Sequence, residues 1–310
     1  MKIHQAQLAL RYPAKLGEGP VWDQRRQALF WIDSTGNKVC IFYPASGRNQ
    51  IYELEQNIGT LVLTENEDIV IVGLEDGLYQ LDLRSGIVTL KRSLEREQTG
   101  NRLNDGKADA AGRIWIGSMT CSDNGAASER KRTEVEYPCA LYCVEPDFSY
   151  STQIPRVRLS NGMAWTEDNR TFYYIDTLER AVFAFDFDVS GGKIANGRIC
   201  ISVPPEMGLP DGMDIDRDGN LWIAHWGGWC VGKWNPRTGE LLEKVEVPAC
   251  RVASCGFGGR NFEDLYIVTC SEVLPADGKS QPDAGCIFVA NNLGVSGIPF
   301  HYFGGYGASL

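Results

Sequence analysis

Pro210-Asp211-Gly212-Met213-Asp214 is followed by the turn Asp216-Arg217-Asp218-Gly219 and by the aromatic run Asn220-Leu221-Trp222-Ile223-Ala224. This unit therefore begins with an acidic residue and a glycine, and continues as a strand, a turn and an aromatic strand. A carboxylate or amide residue followed by glycine also occurs at Glu18-Gly19, at Asn104-Asp105-Gly106 and at Asn161-Gly162. A closed fold built from such units would bring their polar beginnings to one point.

Short runs rich in aromatic and β-branched residues recur at intervals of roughly 40 to 55 residues, the spacing typical of propeller blades. They are residues 28–33, 68–72, 113–117, 171–175, 220–224 and 264–268. Each follows a turn of Gly, Asn, Asp or basic residues, as strands do. No stretch keeps apolar residues at helical spacing over three turns. The pattern predicts an all-β, six-bladed β-propeller with four-stranded antiparallel blades, forming a single domain over residues 1–310.

Three segments that do not follow the strand repeat also allow predictions. The first blade begins near Glu18, so we expect the alternating segment 6–10 to close the ring by pairing into the last blade. Residues 120–138 are polar and charged, and residues 274–284 are rich in Pro, Asp and Gly. Both are predicted to be surface loops near one rim.

Composition argues against several classes of function. The chain has 310 residues and a formal net charge of -10, without a basic cluster, so nucleic-acid and membrane-surface partners are not expected. No apolar run approaches the roughly 18 residues of a membrane span. The N-terminus lacks the apolar core of a secretory signal, which favours a cytoplasmic location. The ten cysteines are scattered without a C-x-x-C pair, which favours buried reduced thiols over disulfides or structural zinc.

Several catalytic motifs are missing from the sequence. It contains no G-x-S-x-G elbow, phosphate-binding loop or H-E-x-x-H pair. Residues 214–219 begin like a calcium-binding EF-hand loop, but its twelfth position is His225 and no helices flank it, so a hairpin turn is predicted. His225 itself is expected to be a structural histidine.

The repeat beginnings offer a metal site instead. An isolated Asp-Gly or Asn-Gly is ordinarily a turn. Here the position before the glycine holds Glu18, Asn161 and Asp211 in three units, whereas Ile58 and Cys255 fill it in two others. A purely structural position would not explain oxygen ligands in some units only. Two carboxylates and one amide suit a hard divalent cation and leave coordination positions open for water or substrate.

The third unit adds polar residues of another kind. If the strand alternates regularly, Arg102 and Asn104 point to one side and Asp105 to the other. An Arg beside an Asn can donate hydrogen bonds to sugar hydroxyls, a carbonyl or a carboxylate. A salt bridge between Arg102 and a neighbouring acid is an equally open interpretation.

The chain closely resembles the gluconolactonase/regucalcin-like (senescence marker protein) family, in order and over essentially its whole length. The motifs that carry this resemblance are residues 16–22, 101–107, 112–119, 160–165, 172–177, 210–214 and 255–259. It implies a six-bladed propeller with a divalent metal ion on its axis and hydrolysis of a sugar (aldono-) lactone to the aldonic acid. The expected metal is Ca, Mn, Zn or Mg, and the expected partner is a small-molecule sugar lactone.

The resemblance also assigns roles to residues. Glu18, Asn161 and Asp211 fall on the family's metal ligands, and Asp211 on its general base. Arg102 and Asn104 fall on its substrate-binding pair.

One part departs from the family, whose members place a substrate-contacting Glu before a Gly-Ala-Leu-Tyr strand. Here that strand reads Cys139-Ala140-Leu141-Tyr142, and Glu134 and Glu136 precede it at slightly different offsets, with Glu136 favoured.

Two other functions fit the same residues. A metal-centred propeller can hydrolyse phosphotriesters or aryl esters, since fold does not settle chemistry. A non-enzymatic calcium-binding propeller is the other alternative. The acidic surface suits a monomer or a homodimer.

Overall fold

The aromatic runs of the sequence form the second strand of each of six sheets in the computed structural model, which describes residues 1–95, 100–121, 139–272 and 280–304. Two short strands, β1 (Lys2–Gln5) and β2 (Gln7–Leu10), come first. The first blade is β3 (Gly17–Asp23), β4 (Ala28–Asp33), β5 (Lys38–Tyr43) and β6 (Arg48–Glu53); the second is β7 (Thr60–Leu63), β8 (Ile69–Gly73), β9 (Gly77–Asp82) and β10 (Val88–Ser93).

The remaining blades follow in chain order. The third is β11 (Asn101–Ala108), β12 (Ile114–Thr120), β13 (Cys139–Val144) and β14 (Tyr150–Val157). The fourth is β15 (Ser160–Trp165), β16 (Thr171–Asp176), β17 (Ala181–Asp188) and β18 (Lys193–Ser202). The fifth is β19 (Leu209–Ile215), β20 (Leu221–Trp226), β21 (Cys230–Asn235) and β22 (Glu240–Glu246), and the sixth contains β23 (Val252–Gly258), β24 (Asp264–Thr269) and β25 (Ile287–Ala290). Short 3-10 turns lie at Thr177–Glu179 and Pro205–Met207.

The first strands of the blades form the wall of a central tunnel. They contact one another in the closed cycle β3, β7, β11, β15, β19, β23 and back to β3. Within each blade the later strands pair antiparallel in order away from this wall. The predicted six-bladed β-propeller is therefore confirmed.

An N-terminal strand closes the ring, as predicted. β2 pairs antiparallel with β25, with Gln7 opposite Val289 and Leu8 opposite Phe288, and so supplies the fourth strand of the sixth blade. The sequence did not predict the role of β1, which pairs parallel with β22 and gives the fifth blade a fifth strand. The fifth blade therefore keeps its four predicted antiparallel strands and carries β1 as an added edge strand.

Buried tryptophans on second strands fix the turns that precede them. The indole Nε1 of Trp222 donates to Asp216 Oδ2 over 3.0 Å, while Asp216 Oδ1 accepts the backbone N–H of Asn220 at 2.9 Å. Trp115 binds Asp109 in the same way, at 2.9 Å. The turn between β19 and β20 thus confirms the hairpin predicted for residues 214–219. Such buried, fully paired aspartates hold the blades rigid.

The C-terminal segment, residues 291–304, crosses the end of the tunnel opposite the strand beginnings. Gly297 N–H donates to Phe262 O at 2.8 Å, and Phe303 N–H donates to Leu63 O at 2.8 Å. These bonds lead from the sixth blade to the second across the tunnel. The tunnel is therefore covered at one end.

Two further observations concern the chain as a whole. No disulfide joins any of the ten cysteines, all of which lie in the described residues, and eight of them are buried. None of the helices in the described part of the chain combines the length and the apolar character that crossing a membrane requires.

Ring closure gives the first prediction. Deleting residues 1–10 removes β2 and leaves β25 as an open edge, so we expect loss of the cooperative thermal transition. Deleting residues 1–5 removes only β1, and we expect the melting temperature to fall by about 2–5 °C. Circular dichroism melts of both truncations check this. Equal melting temperatures for the two truncations would contradict the assigned role of β2.

Candidate metal centre

β-Bulges mark the four polar beginnings of the repeat. On β3, Glu18 lies opposite Ile32 but Val21 opposite Phe30, so one extra residue is inserted in the inner strand. The same insertion occurs at residues 103–106 of β11, 160–163 of β15 and 210–213 of β19. β7, which follows Ile58, pairs regularly. Since a bulge changes the direction of side chains, it allows these strands to aim polar groups at the tunnel.

Asn161 and Asp211 are in direct contact across neighbouring blades. Asn161 Nδ2 donates to Asp211 Oδ1, and also to Thr177 Oγ1 at 3.1 Å. Because the amide N–H groups are used in this way, the carbonyl oxygen is the atom that Asn161 can offer to a cation. Asn161 is 4% exposed and Asp211 7%, so both lie at the wall of the tunnel and are shielded from solvent.

Glu18 completes the predicted ligand set. Burial raises the pKa of Glu18 well above its ordinary value, and the negative charges of Asp211 and Asp105 raise it further. Burial also raises the pKa of Asp211, and the charge of Asp105 adds to that shift. The carboxylates are thus close enough to repel one another. A cation between them would relieve this repulsion.

Arg102 and Asn104 lie beside these ligands. Arg102, which is 2% exposed, donates from Nη1 to Leu103 O at 2.9 Å and to Asn104 Oδ1 at 3.3 Å. Asn104 Nδ2 donates to Ser160 O of the next blade at 2.8 Å. The charge of Arg102 lowers the pKa of Glu18. Arg102 therefore contacts Asn104 and also acts on the charge of Glu18, while the role of the pair in substrate binding stays a prediction.

Asp105 is a residue of the site that sequence reasoning missed. Its charge acts on both Glu18 and Asp211, although regular alternation would turn it away from them. The expectation is wrong because the bulge in β11 breaks the alternation. The registers of the third and fifth blades can be matched, since Gly106 pairs with Ile116 and Met213 pairs with Ile223. The residue before each of them is then equivalent, so Asp105 takes the position that Gly212 has in the fifth blade. An acid in place of that glycine was the available signal.

The charges along the tunnel fit one divalent cation. Four carboxylates lie there, and two basic side chains oppose them. The carboxylates belong to Glu18, Asp105, Asp211 and Asp214, and the basic side chains are Arg102 and Lys107. If all are ionised, two negative charges remain, which one divalent ion would neutralise. The oxygen donors of Glu18, Asn161 and Asp211 suit a hard cation.

The fit depends on an amide ligand. Within the described ranges, no group of three or more His, Cys, Asp or Glu side chains is placed to hold a metal ion. The candidate centre has two such side chains, Glu18 and Asp211, and Asn161 would be the third ligand.

Three further residues are candidates from the sequence. Glu134 and Glu136 fall in the gap between residues 121 and 139 and so lie outside the described residues. His225 is fully buried inside the fifth blade, where Trp234 Nε1 donates to its Nε2 at 3.1 Å. Burial lowers the pKa of His225 to about 3, so it is a neutral, structural histidine as predicted.

Known proteins resemble this chain over most of its length. A profile of the SMP-30/Gluconolactonase/LRE-like region matches residues 16–271. Regucalcin of Gallus gallus is 37% identical over 292 residues, which cover 94% of this chain and 95% of that protein. The structure of a luciferin-regenerating enzyme has a TM-score of 0.85 at 28% identity, covering 94% of this chain and 96% of the enzyme.

A calcium-binding regucalcin of Agrobacterium tumefaciens has a TM-score of 0.86 at 23% identity, covering 98% of this chain and 99% of that one. This last likeness concerns the fold alone. The profile match and the identity to Gallus gallus regucalcin each extend over most of the chain. The chain therefore belongs to the SMP-30/gluconolactonase/LRE-like family.

Proposed function

We propose that the protein hydrolyses a sugar (aldono-) lactone to the aldonic acid with the help of one divalent cation, which is Ca, Mn, Zn or Mg. The convergence of Glu18, Asn161 and Asp211 on the tunnel carries this proposal. The family, which includes gluconolactonases, supports the substrate class. A cytoplasmic location accords with the buried thiols.

Glu18, Asn161 and Asp211 would hold the cation, which when bound would polarise the lactone carbonyl and stabilise the charge developing on its oxygen. Asp211 accepts a proton from the attacking water and returns it to the ring oxygen as that oxygen leaves. Such positioned acid–base groups contribute about 10²–10⁴-fold. Asn161 fixes one carboxylate oxygen of Asp211 and so orients this base.

Arg102 and Asn104 orient the oxygens of the lactone. Their mutual hydrogen bond, and that of Asn104 to Ser160 O, hold the pair in place before a substrate arrives. Such preorganisation lowers the entropy lost on binding. Glu18 and Asn104 are the partly exposed members of the site, so the substrate enters on their side. Glu136 remains a proposed substrate contact.

A second candidate function is a propeller that binds calcium without turnover. That protein would show metal-dependent stability only. An acid-release assay on pentono- and hexono-lactones, run beside phosphotriesters and aryl esters, separates these functions.

The role of Asp211 gives the second prediction. Asp211→Ala removes a ligand and the base together, so we expect gluconolactone turnover to fall by about 100-fold or more with every metal added. Asp218→Ala is the matched control, because Asp218 is an exposed turn residue at the other end of β19. Near-wild-type turnover of Asp211→Ala would refute the assigned role.

The third prediction concerns pH. The raised pKa values mean that the folded, metal-free protein holds protons on Glu18 and Asp211. The unfolded chain releases the same protons at about pH 4. The stability of the metal-free protein therefore falls as the pH rises from about 4 through the raised pKa values. A cation displaces these protons, so metal affinity increases with pH over the same window. Calorimetry in buffers of different ionisation enthalpy measures the protons released. Metal binding without proton release would contradict the ligand assignment.

The fourth prediction separates the two tasks of the site. Arg102→Met removes a positive charge beside Glu18, so we expect several-fold tighter metal binding. The KM for the lactone should rise roughly tenfold as a charged donor is lost. Arg102→Lys keeps the charge and serves as the control for metal affinity. Parallel weakening of both metal and lactone binding in Arg102→Met would show that Arg102 acts only on the fold.

A further inference from the structure

Lys107 places a positive charge inside the tunnel, further along β11 than Asp105. Its Nζ donates to Met213 O at 2.6 Å and lies 3.7 Å from Asp214 Oδ1. It also lies 5.4 Å from the centre of the Phe300 ring. The ammonium group is therefore surrounded by oxygen atoms on one side and by an aromatic face on the other.

The oxygen atoms around Lys107 are held by the backbone. Asp214 Oδ1 accepts the N–H of Ile215 at 2.9 Å, and its Oδ2 accepts that of Phe257 at 2.8 Å. Asp105 Oδ1 accepts the N–H of Gly106 at 2.8 Å. These acids would therefore keep their places if the lysine were removed.

A small cavity adjoins the ammonium group. It has a volume of about 60 Å³ and is bordered by Asp105, Lys107, Asp214, Ser254 and Phe300. This volume admits water molecules. Two fixed carboxylates, one carbonyl oxygen and adjacent water are the surroundings that a hard cation with flexible coordination accepts.

We propose that the ammonium group of Lys107 occupies a second cation position on the propeller axis. A small residue in its place would allow the tunnel to bind two divalent ions instead of one. In the native protein the ammonium group of Lys107 excludes a second ion, so a divalent cation binds only at Glu18, Asn161 and Asp211. This inference rests on the metal centre proposed above and does not require lactone hydrolysis.

Lys107→Ala tests the proposal when bound calcium is counted by equilibrium dialysis against CaCl2 and elemental analysis. We expect two calcium ions per chain in Lys107→Ala and one in the wild type. Combining Lys107→Ala with Asp214→Asn should restore one, because a ligand is lost. Lys107→Met should also bind one, because its side chain fills the position without charge.

Lys233→Ala is the matched control. Lys233 lies 3.5 Å from Asp216 Oδ2, 3.4 Å from Glu243 Oε1 and 5.3 Å from the centre of the Trp222 ring. This environment has two acids and an aromatic ring but lies in the sheet of the fifth blade, away from the tunnel. We expect Lys233→Ala to bind one calcium ion. Two ions there would show that removing any such lysine suffices.

The outcomes are decisive in both directions. A folded Lys107→Ala protein that binds the same number of ions as the wild type overturns the proposal. Failure of this variant to fold even when refolded in millimolar CaCl2 also overturns it, because calcium should replace the missing charge. Folding that requires calcium supports it. A wild type that binds one ion but hydrolyses no lactone defeats the proposed function and leaves this inference standing.

Discussion

Repulsion between carboxylates that converge on one tunnel is the constraint on which this structure depends. Burial raises the pKa values of Glu18 and Asp211, and the charge of Asp105 raises both further, as does that of Asp211 for Glu18. Uncompensated, such groups hold protons or destabilise the fold. The protein opposes them with two fixed cations, Arg102 and Lys107. On the proposed function, the negative charge that remains is what would attract a divalent ion.

The propeller is what makes that convergence possible. The proposed ligands come from the first, fourth and fifth blades, and a closed ring brings these distant segments to one tunnel. Buried tryptophan–aspartate pairs such as Trp222 with Asp216 stiffen the blades, and β2 closes the circle. A ring that opened would separate Glu18 from Asp211 first, since they lie in blades on either side of the closing blade.

The sequence predicted what local patterns can encode. Aromatic strands at regular spacing predicted the propeller. The polar residue before a glycine, repeated from unit to unit, predicted that Glu18, Asn161 and Asp211 lie near one another. What it missed depends on pairing between distant strands. The direction of the Asp105 side chain depends on the bulge of β11, and that bulge is visible only from the pairing of β11 with β12. No local sequence signal marks the parallel pairing of β1 with β22. The contact of Lys107 with Met213 O joins the third blade to the fifth, over the fourth.

The two ends of the tunnel differ in a way that explains where chemistry can occur. At the covered end, Phe300 of the C-terminal segment lies over Lys107. The positive charge there belongs to a side chain and therefore cannot be exchanged. Glu18 and Asn104 lie towards the other end, where we propose that the charge is a diffusible ion with positions open to water and substrate. A fixed cation can balance charge but cannot bind a substrate oxygen as a metal can. On the proposed function, a lysine at the covered end leaves the exchangeable cation at the end that a substrate would reach.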